Sequence, residues 1–230
     1  MNQYTDSQNG FSIIPLSEGS FTVDKSKLFV PFNTEEHELN SRPIGSLLVE
    51  VQPFVIVTPG DIILIDAGLG FKQQQTLQLH ANLLKQGITA DKVTKVLMSH
   101  LHKDHAGGIS YRNNVGHYQL SFPNATYYVQ KQEYDNAMEI GYPSYMTEEL
   151  AALEVSKQVV WLNGNGIIDD FIQYELTGAH SRFHQVYWLK IGNKTLFFGG
   201  DDAPQLQQMK SRFIAKYDYN GKKCMELRQQ

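Results

Sequence analysis

The stretch Met98-Ser99-His100-Leu101-His102-Lys103-Asp104-His105-Ala106-Gly107-Gly108 constrains this chain more than any other. Three imidazoles and one carboxylate lie between positions 100 and 105, after the apolar run Val96-Leu97-Met98 and before two glycines. An apolar strand, a polar cluster and a glycine turn, in that order, deliver side chains to a site at the edge of a sheet. His100 and His102 alternate by two, so on an extended segment both rings face one side. Asp104 and His105 follow where the chain begins to turn, and they aim at a second point nearby. Such a set suits four ligands shared between two adjacent metal ions. Imidazole and carboxylate without thiolate fit zinc and tolerate iron, manganese or cobalt. The plain alternative, a histidine-rich surface loop, is disfavoured because two further polar clusters also close strand-like runs.

The rest of the chain is ordinary enough to leave that reading undisturbed. At 230 residues with 41% hydrophobic and 19% charged side chains, one domain spanning 1–230 is expected. A net charge of -4 offers no basic footprint for nucleic acid. The single cysteine, Cys224, excludes an internal disulfide framework and fits a reducing compartment. The first residues are polar, with neither a signal-peptide pattern nor a membrane-length apolar run, so a cytoplasmic protein is expected. Residues 1–10 read as disordered.

Strand patterns cover 46–51, 54–57 and 62–65, with Pro59-Gly60-Asp61 as a hairpin turn. Their continuous apolar character predicts strands buried on both faces. The last runs into Asp66-Ala67-Gly68-Leu69-Gly70. Helical spacing predicts a helix over 73–86, carrying His80 as a packing or surface residue, whereas His37 reads as a loop histidine. The strand over 95–98 opens into the histidine cluster. Beyond it come a strand at 126–129, a helix over 131–140, an aromatic loop at 141–146 and a helix opened by Thr147 as N-cap. A strand at 159–162 and another near 171–176 lead to the second polar cluster, Thr177-Gly178-Ala179-His180-Ser181-Arg182-Phe183-His184. A hairpin over 186–191 and 195–198 ends in the third, Gly199-Gly200-Asp201-Asp202, and a helix-like stretch covers 205–216. Interleaved strands and helices with polar residues at strand ends define an α/β chain. Taken alone, His180 reads equally as a ligand or a loop histidine, and Asp201 reads as a turn residue. Together with the first cluster they complete a site.

At this point the sequence resembles the metallo-β-lactamase-fold hydrolases. Their H-x-H-x-D-H hallmark is met by His100, His102, Asp104 and His105, with glycines at Gly107 and Gly108. Their D-x-G turn is matched by Asp66-Ala67-Gly68, and their G-D pair by Gly200-Asp201. Their T-P-G-H-x-x-G-H pattern is met loosely by 177–184, with departures at Gly178, Ala179 and Phe183. The resemblance implies a four-layer αβ/βα sandwich. It implies that His100, His102 and His180 hold one metal, that Asp104 and His105 hold a second, and that Asp201 bridges both. Asp66 and His184 would then orient ligands from behind.

The family places a last histidine ligand on a strand beyond the bridging aspartate, and positions 202–230 contain none. Three explanations compete: a shortened form without the last strand, a second metal held by fewer protein ligands, or substitution by a carboxylate such as Asp218 or Glu226. The first is the expectation, with a weakened second metal site.

The resemblance further implies a metal-dependent hydrolase with two divalent ions, zinc by preference. A metal-bound hydroxide would attack a small ester, lactone or related substrate, with Asp104 as ligand and proton carrier. Tyr145, in the aromatic loop, would touch substrate as in lactonase-like members, although Pro204 stands where those carry a tyrosine. Two other readings stay open: a mononuclear iron oxidoreductase of the persulfide dioxygenase type, and a catalytically impaired metal-binding protein.

Overall fold

Short β-branched runs build the centre of a seven-stranded mixed sheet in the computed structural model, which describes residues 3–74 and 76–230. Its strand order is Tyr4–Asp6, Phe11–Pro15, Phe54–Val57, Ile62–Ile65, Lys95–Leu97, Thr126–Gln130 and Val159–Leu162. The last four are parallel, so their carboxyl ends share one edge. The others pair antiparallel.

A second, four-stranded antiparallel sheet of Gly166–Ile168, Ile172–Leu176, Gln185–Ile191 and Lys194–Phe198 packs against the first. Successive side chains of a strand point to opposite faces, and both faces here are covered. Ile63, Ile65 and Leu97 meet Ile172, Tyr187 and Leu189 of the second sheet. Leu64 and Val96 turn the other way, toward Leu79, Leu83, Ala137 and Leu153 on the helices Gln78–Lys85, Lys131–Ile140 and Thr147–Glu154. Helices, large sheet and small sheet thus form successive layers around two apolar cores, the α/β architecture expected.

Several local expectations are corrected. The lead is not disordered where it is described, because Tyr4–Asp6 pairs with Phe11–Pro15 as the outermost strand. Backbone pairing needs no apolar side chains, and the turn is closed by Asp6, whose Oδ1 accepts from Asn9 N at 3.0 Å. Leu47–Val51 is not buried on both faces. It is an edge strand of a separate three-stranded sheet with Gly19–Val23 and Phe29–Pro31, and Leu47 is 45% exposed. The expected helix over 73–86, which includes Gln75 outside the described residues, starts only at Gln78, after Lys72–Gln73 pairs with Thr76–Leu77. The apolar face begins at Leu77 and Leu79, and the glutamines before it have nothing to bury. His80 packs against the rings of Tyr111 and Phe122, as expected of a packing residue. Thr147 does not cap its helix; Met146 takes that position, with no side-chain cap bond. The stretch 205–216 forms a helix only over Leu206–Met209, because Leu206, Met209, Phe213 and Ile214 find no face to bury. No described helix is long and apolar enough to cross a membrane.

Candidate metal centre

The three polar clusters meet beyond the carboxyl edge of the parallel strands, where ligand sites of such sheets lie. Lys95–Leu97 delivers His100 and His102 in extended backbone, and the four-residue helix Lys103–Ala106 then turns Asp104 and His105 toward the same cavity. His180 arrives from the loop before Gln185–Ile191, and Asp201 from the short 3-10 turn Gly200–Asp202 after Lys194–Phe198. His100 Nε2 lies 2.9 Å from His102 Nδ1, which lies 3.1 Å from His180 Nε2. Asp201 stands between the two halves, with Oδ1 3.2 Å from His105 Nε2 and Oδ2 3.2 Å from His180 Nε2. Asp104 is looser, its Oδ2 3.8 Å from His105 Nε2. Two triads, His100–His102–His180 and His100–His105–Asp201, have donor atoms close enough to hold an ion.

The far sides of the rings decide what their near sides offer. His180 Nδ1 faces Asp218 Oδ1 at 2.9 Å, and His105 Nδ1 faces Asp66 Oδ2 at 2.8 Å. A carboxylate behind a ring holds the proton on that nitrogen and leaves the lone pair on the other, pointing inward. Ring nitrogens of His100, His102 and His180 converge within about 3 Å of one another. In the neutral tautomers that present lone pairs inward, that arrangement suits a cation at their centre.

Asp66 pays for its placement in backbone strain, with φ at +58°, a region non-glycine residues rarely occupy. Its Oδ1 accepts from Ser99 N and its Oδ2 from Ser99 Oγ, both at 2.8 Å, so one carboxylate fixes both Ser99 and His105. His184 accepts from Asp201 N through Nε2 at 3.1 Å, while its Nδ1 lies 3.0 Å from Asp202 Oδ2. Gly200 has to be glycine here: φ is +50° and a Cβ would sit 2.7 Å from His184 Nε2.

Charge is unevenly spread. Burial, reinforced by neighbouring imidazoles, pushes His100 and His102 well below the usual histidine range. Burial opposes the charged form of His105 and His180 too, yet carboxylates outweigh it: Asp201, Asp104 and Asp66 raise His105, and Asp201 and Asp218 raise His180. Asp201 is buried, but His105 and His180 hold its carboxyl far below the ordinary range. Burial moves Asp104 upward.

Every expected site residue is thus brought to one place, although Tyr145 enters as a wall. It is 2% exposed, its ring centroid is 4.9 Å from that of His102, and its hydroxyl is 3.3 Å from Glu133 Oε1. The proposed substitutes for a last histidine do not serve. Asp218 sits behind His180, on the side of the ring away from the other donors, and Glu226 is on the surface, 3.7 Å from Lys222.

Three contributors were not picked out from the sequence. Asp202 receives His180 N at 2.7 Å, and its only sequence signal is the doubled aspartate. Glu133, on the helix Lys131–Ile140, is 1% exposed and accepts from Leu101 N at 3.2 Å, Tyr145 Oη at 3.3 Å and Ser181 Oγ at 3.0 Å. Glu18, 4% exposed, accepts from Leu69 N at 2.5 Å. A Cβ at Gly68 would meet Glu18 Oε2 at 2.3 Å, which is why the turn after Asp66 carries glycine. A buried glutamate looks like any helix or loop glutamate until its surroundings are known.

Residues 49–213 match the model of the metallo-beta-lactamase superfamily, and the chain belongs to that superfamily. No curated protein matches it in sequence. Among solved structures it is similar to a probable metal-dependent hydrolase from Staphylococcus aureus, with a TM-score of 0.75 and 20% identity over 96% of this chain and 83% of that one. It is also similar to AidC, a dizinc quorum-quenching lactonase solved with a product, with a TM-score of 0.71 and 21% identity over 99% and 84%. A third is the hydrolase AbOPH, with a TM-score of 0.72 and 22% identity over 98% and 82%. At these identities the likeness is one of fold.

Proposed function

We propose that this chain is a metal-dependent hydrolase of small esters, lactones or related substrates, holding two divalent ions for which zinc is the best match. The observation that carries this reading is the convergence of ring nitrogens from His100, His102 and His180 beside His105 and Asp201. His100, His102 and His180 would hold one ion, Asp104 and His105 the other, and Asp201 both. Bound ions of this kind lower the pKa of water to about 7 and polarise the oxygen of the electrophile. The chain's own residues supply orientation and proton handling. Asp66 and Asp218 keep His105 and His180 in the ligating tautomer, and His184 positions Asp201 through its backbone N–H. Asp104, beside His105, would ligate as the carboxylate, take up a proton next to the reacting centre and pass it to the leaving group. The lactonase neighbours and the S. aureus hydrolase support this class on the same fold.

The test is Asp104→Ala, assayed on lactones, esters and phosphotriesters with added zinc or manganese. We expect kcat/KM to fall by roughly 10³-fold while the circular dichroism spectrum is kept. Near-normal turnover in that variant sinks the assignment of Asp104, and no turnover of any substrate by the metal-loaded parent sinks the hydrolase reading.

A further inference from the structure

A cavity of ≈ 350 Å³ opens directly onto His102 and His180, and its walls include Lys27, Ser144, Tyr145 and Arg182. Substrate whose scissile bond sits at the histidines extends into this space. Its charged walls do not cancel evenly. Asp218 is committed to His180, and Glu139 lies near enough to Arg182 to stabilise the guanidinium, which also stacks over Tyr219 at 5.5 Å. Lys27 has no carboxylate partner among the described residues; its Nζ donates to Ser144 Oγ at 2.6 Å. A second cation, Lys103, attaches to the same residue through its backbone, Lys103 N donating to Ser144 O at 2.9 Å, and its Nζ lies over the rings of Phe29 and Tyr142. Asp104 offsets the charge of Lys103, whereas the Lys27 ammonium, at the cavity wall, forms no ion pair among the described residues.

The backbone around Lys27 is also unusual. Asp24 closes a tight turn, its Oδ1 accepting from Ser26 N at 2.9 Å and its carbonyl from Lys27 N at 2.9 Å. That turn leaves Lys27 at φ +57°, where glycine or asparagine would be unstrained. The turn thereby sets the Lys27 side chain at the cavity wall.

We propose that Lys27, with the Ser144 hydroxyl beside it and Arg182 on the same cavity wall, binds a carboxylate on the part of the substrate remote from the scissile bond. The preferred substrate class is then an ester or lactone bearing a carboxylate, rather than a neutral acyl lactone. This rests on the hydrolase reading above and narrows it.

A matched pair tests it: mono-4-nitrophenyl glutarate, which carries a free carboxylate, and its methyl ester, which does not. The parent is expected to favour the free acid in kcat/KM by about tenfold, the scale of a charge-assisted contact at a half-open site. Lys27→Met should collapse that ratio toward one, and Lys27→Arg should restore most of it. A parent ratio near one, or a ratio that survives Lys27→Met, overturns the subsite while leaving the hydrolase intact. If neither ester turns over while other lactones or esters do, the carboxylate preference is overturned and the hydrolase reading stands; the hydrolase reading fails only if no lactone, ester or phosphotriester turns over. Glutarate binding to the metal-free chain by calorimetry then decides the subsite alone: binding weakened by Lys27→Met supports it, and no binding overturns it.

Discussion

The two walls of the metal centre are made differently. One wall comes from the first half of the chain, where Asp66 and the stretch 99–108 hang on adjacent parallel strands. Its ligands His100, His102, Asp104 and His105 lie within one short stretch, and their spacing follows from strand geometry. The other wall is assembled from pieces far apart: the 177–184 loop, the Gly200–Asp202 turn and the segment after it. Tyr219 N donates to His180 O at 2.9 Å and Asn220 N to Ala179 O at 2.8 Å, while Arg228 Nη1 donates to Asp202 O at 3.1 Å. Backbone pairing and a buried arginine, rather than a motif, hold this wall in place. The first wall is therefore set by sheet register, and the second by docking of the last segment. Asp201, facing His105 of one and His180 of the other, is where the two must agree to within tenths of an ångström.

Glu133 fastens the walls together, and removing it should have the largest effect. Its Oε1 receives Leu101 N from the first wall and its Oε2 receives Ser181 Oγ from the second. Glu133→Ala orphans two buried donors and the Tyr145 hydroxyl, at a cost of roughly 1–3 kcal/mol each where no water replaces it. We expect about 4 kcal/mol of lost stability in urea unfolding, and zinc affinity weaker by about 10–100-fold, the range seen when groups that orient ligands are removed. Glu133→Gln keeps the volume and one acceptor, so it should lie between parent and Ala in both measurements. Zinc affinity unchanged in Glu133→Ala would show that the walls find their positions independently.

This difference between the walls also explains what could be read from the sequence. Apolar runs such as Ile62–Ile65 betray strands buried on both faces, and side chains that follow them must emerge at the sheet edge. His100, His102, Asp104 and His105 were therefore legible together. His180 and Asp201 needed the pattern of the whole set to become more than loop residues. Glu133, Glu18 and Asp202 act through contacts across 12 to 51 positions of chain, which no local spacing encodes. Leu47–Val51 and the stretch 205–216 were misread for a related reason. Periodicity shows that a face could be buried, and only the tertiary partners decide whether it is.

Glu18 belongs to the first wall alone, and it sharpens the contrast through pH. Burial raises its pKa from 4.5 to about 7, the reverse of a carboxylate stabilised as the anion. The folded chain therefore keeps a proton that the unfolded chain gives up between these values. Its contribution favours the fold at pH below 4.5 and is lost as pH climbs from 4.5 to about 7, after which it stays constant. At 1.36 kcal/mol per pH unit the loss is roughly 3 kcal/mol. Glu18→Gln should flatten that part of the stability profile of the metal-free protein, measured by urea unfolding at about pH 5 and about pH 8. A parent and a variant with parallel profiles would mean that the carboxyl is ionised throughout.

Asp218 belongs to the second wall alone, and its replacement should have the smallest effect. In Asp218→Asn the new amide oxygen still accepts from His180 Nδ1, so the variant keeps the 2.9 Å contact and the tautomer while removing the charge. What is lost is the electrostatic support that raises the basicity of the ring. We expect zinc affinity to fall by about tenfold, with little change in stability, in a chelator competition titration. Asp218→Ala, which removes the acceptor as well, should weaken zinc further and disturb the absorption spectrum of the cobalt-substituted protein, which reports ligand geometry. If the two variants behave alike, the charge of Asp218 does no more than its shape, and the second wall orients His180 through the Tyr219 and Asn220 backbone pairing alone.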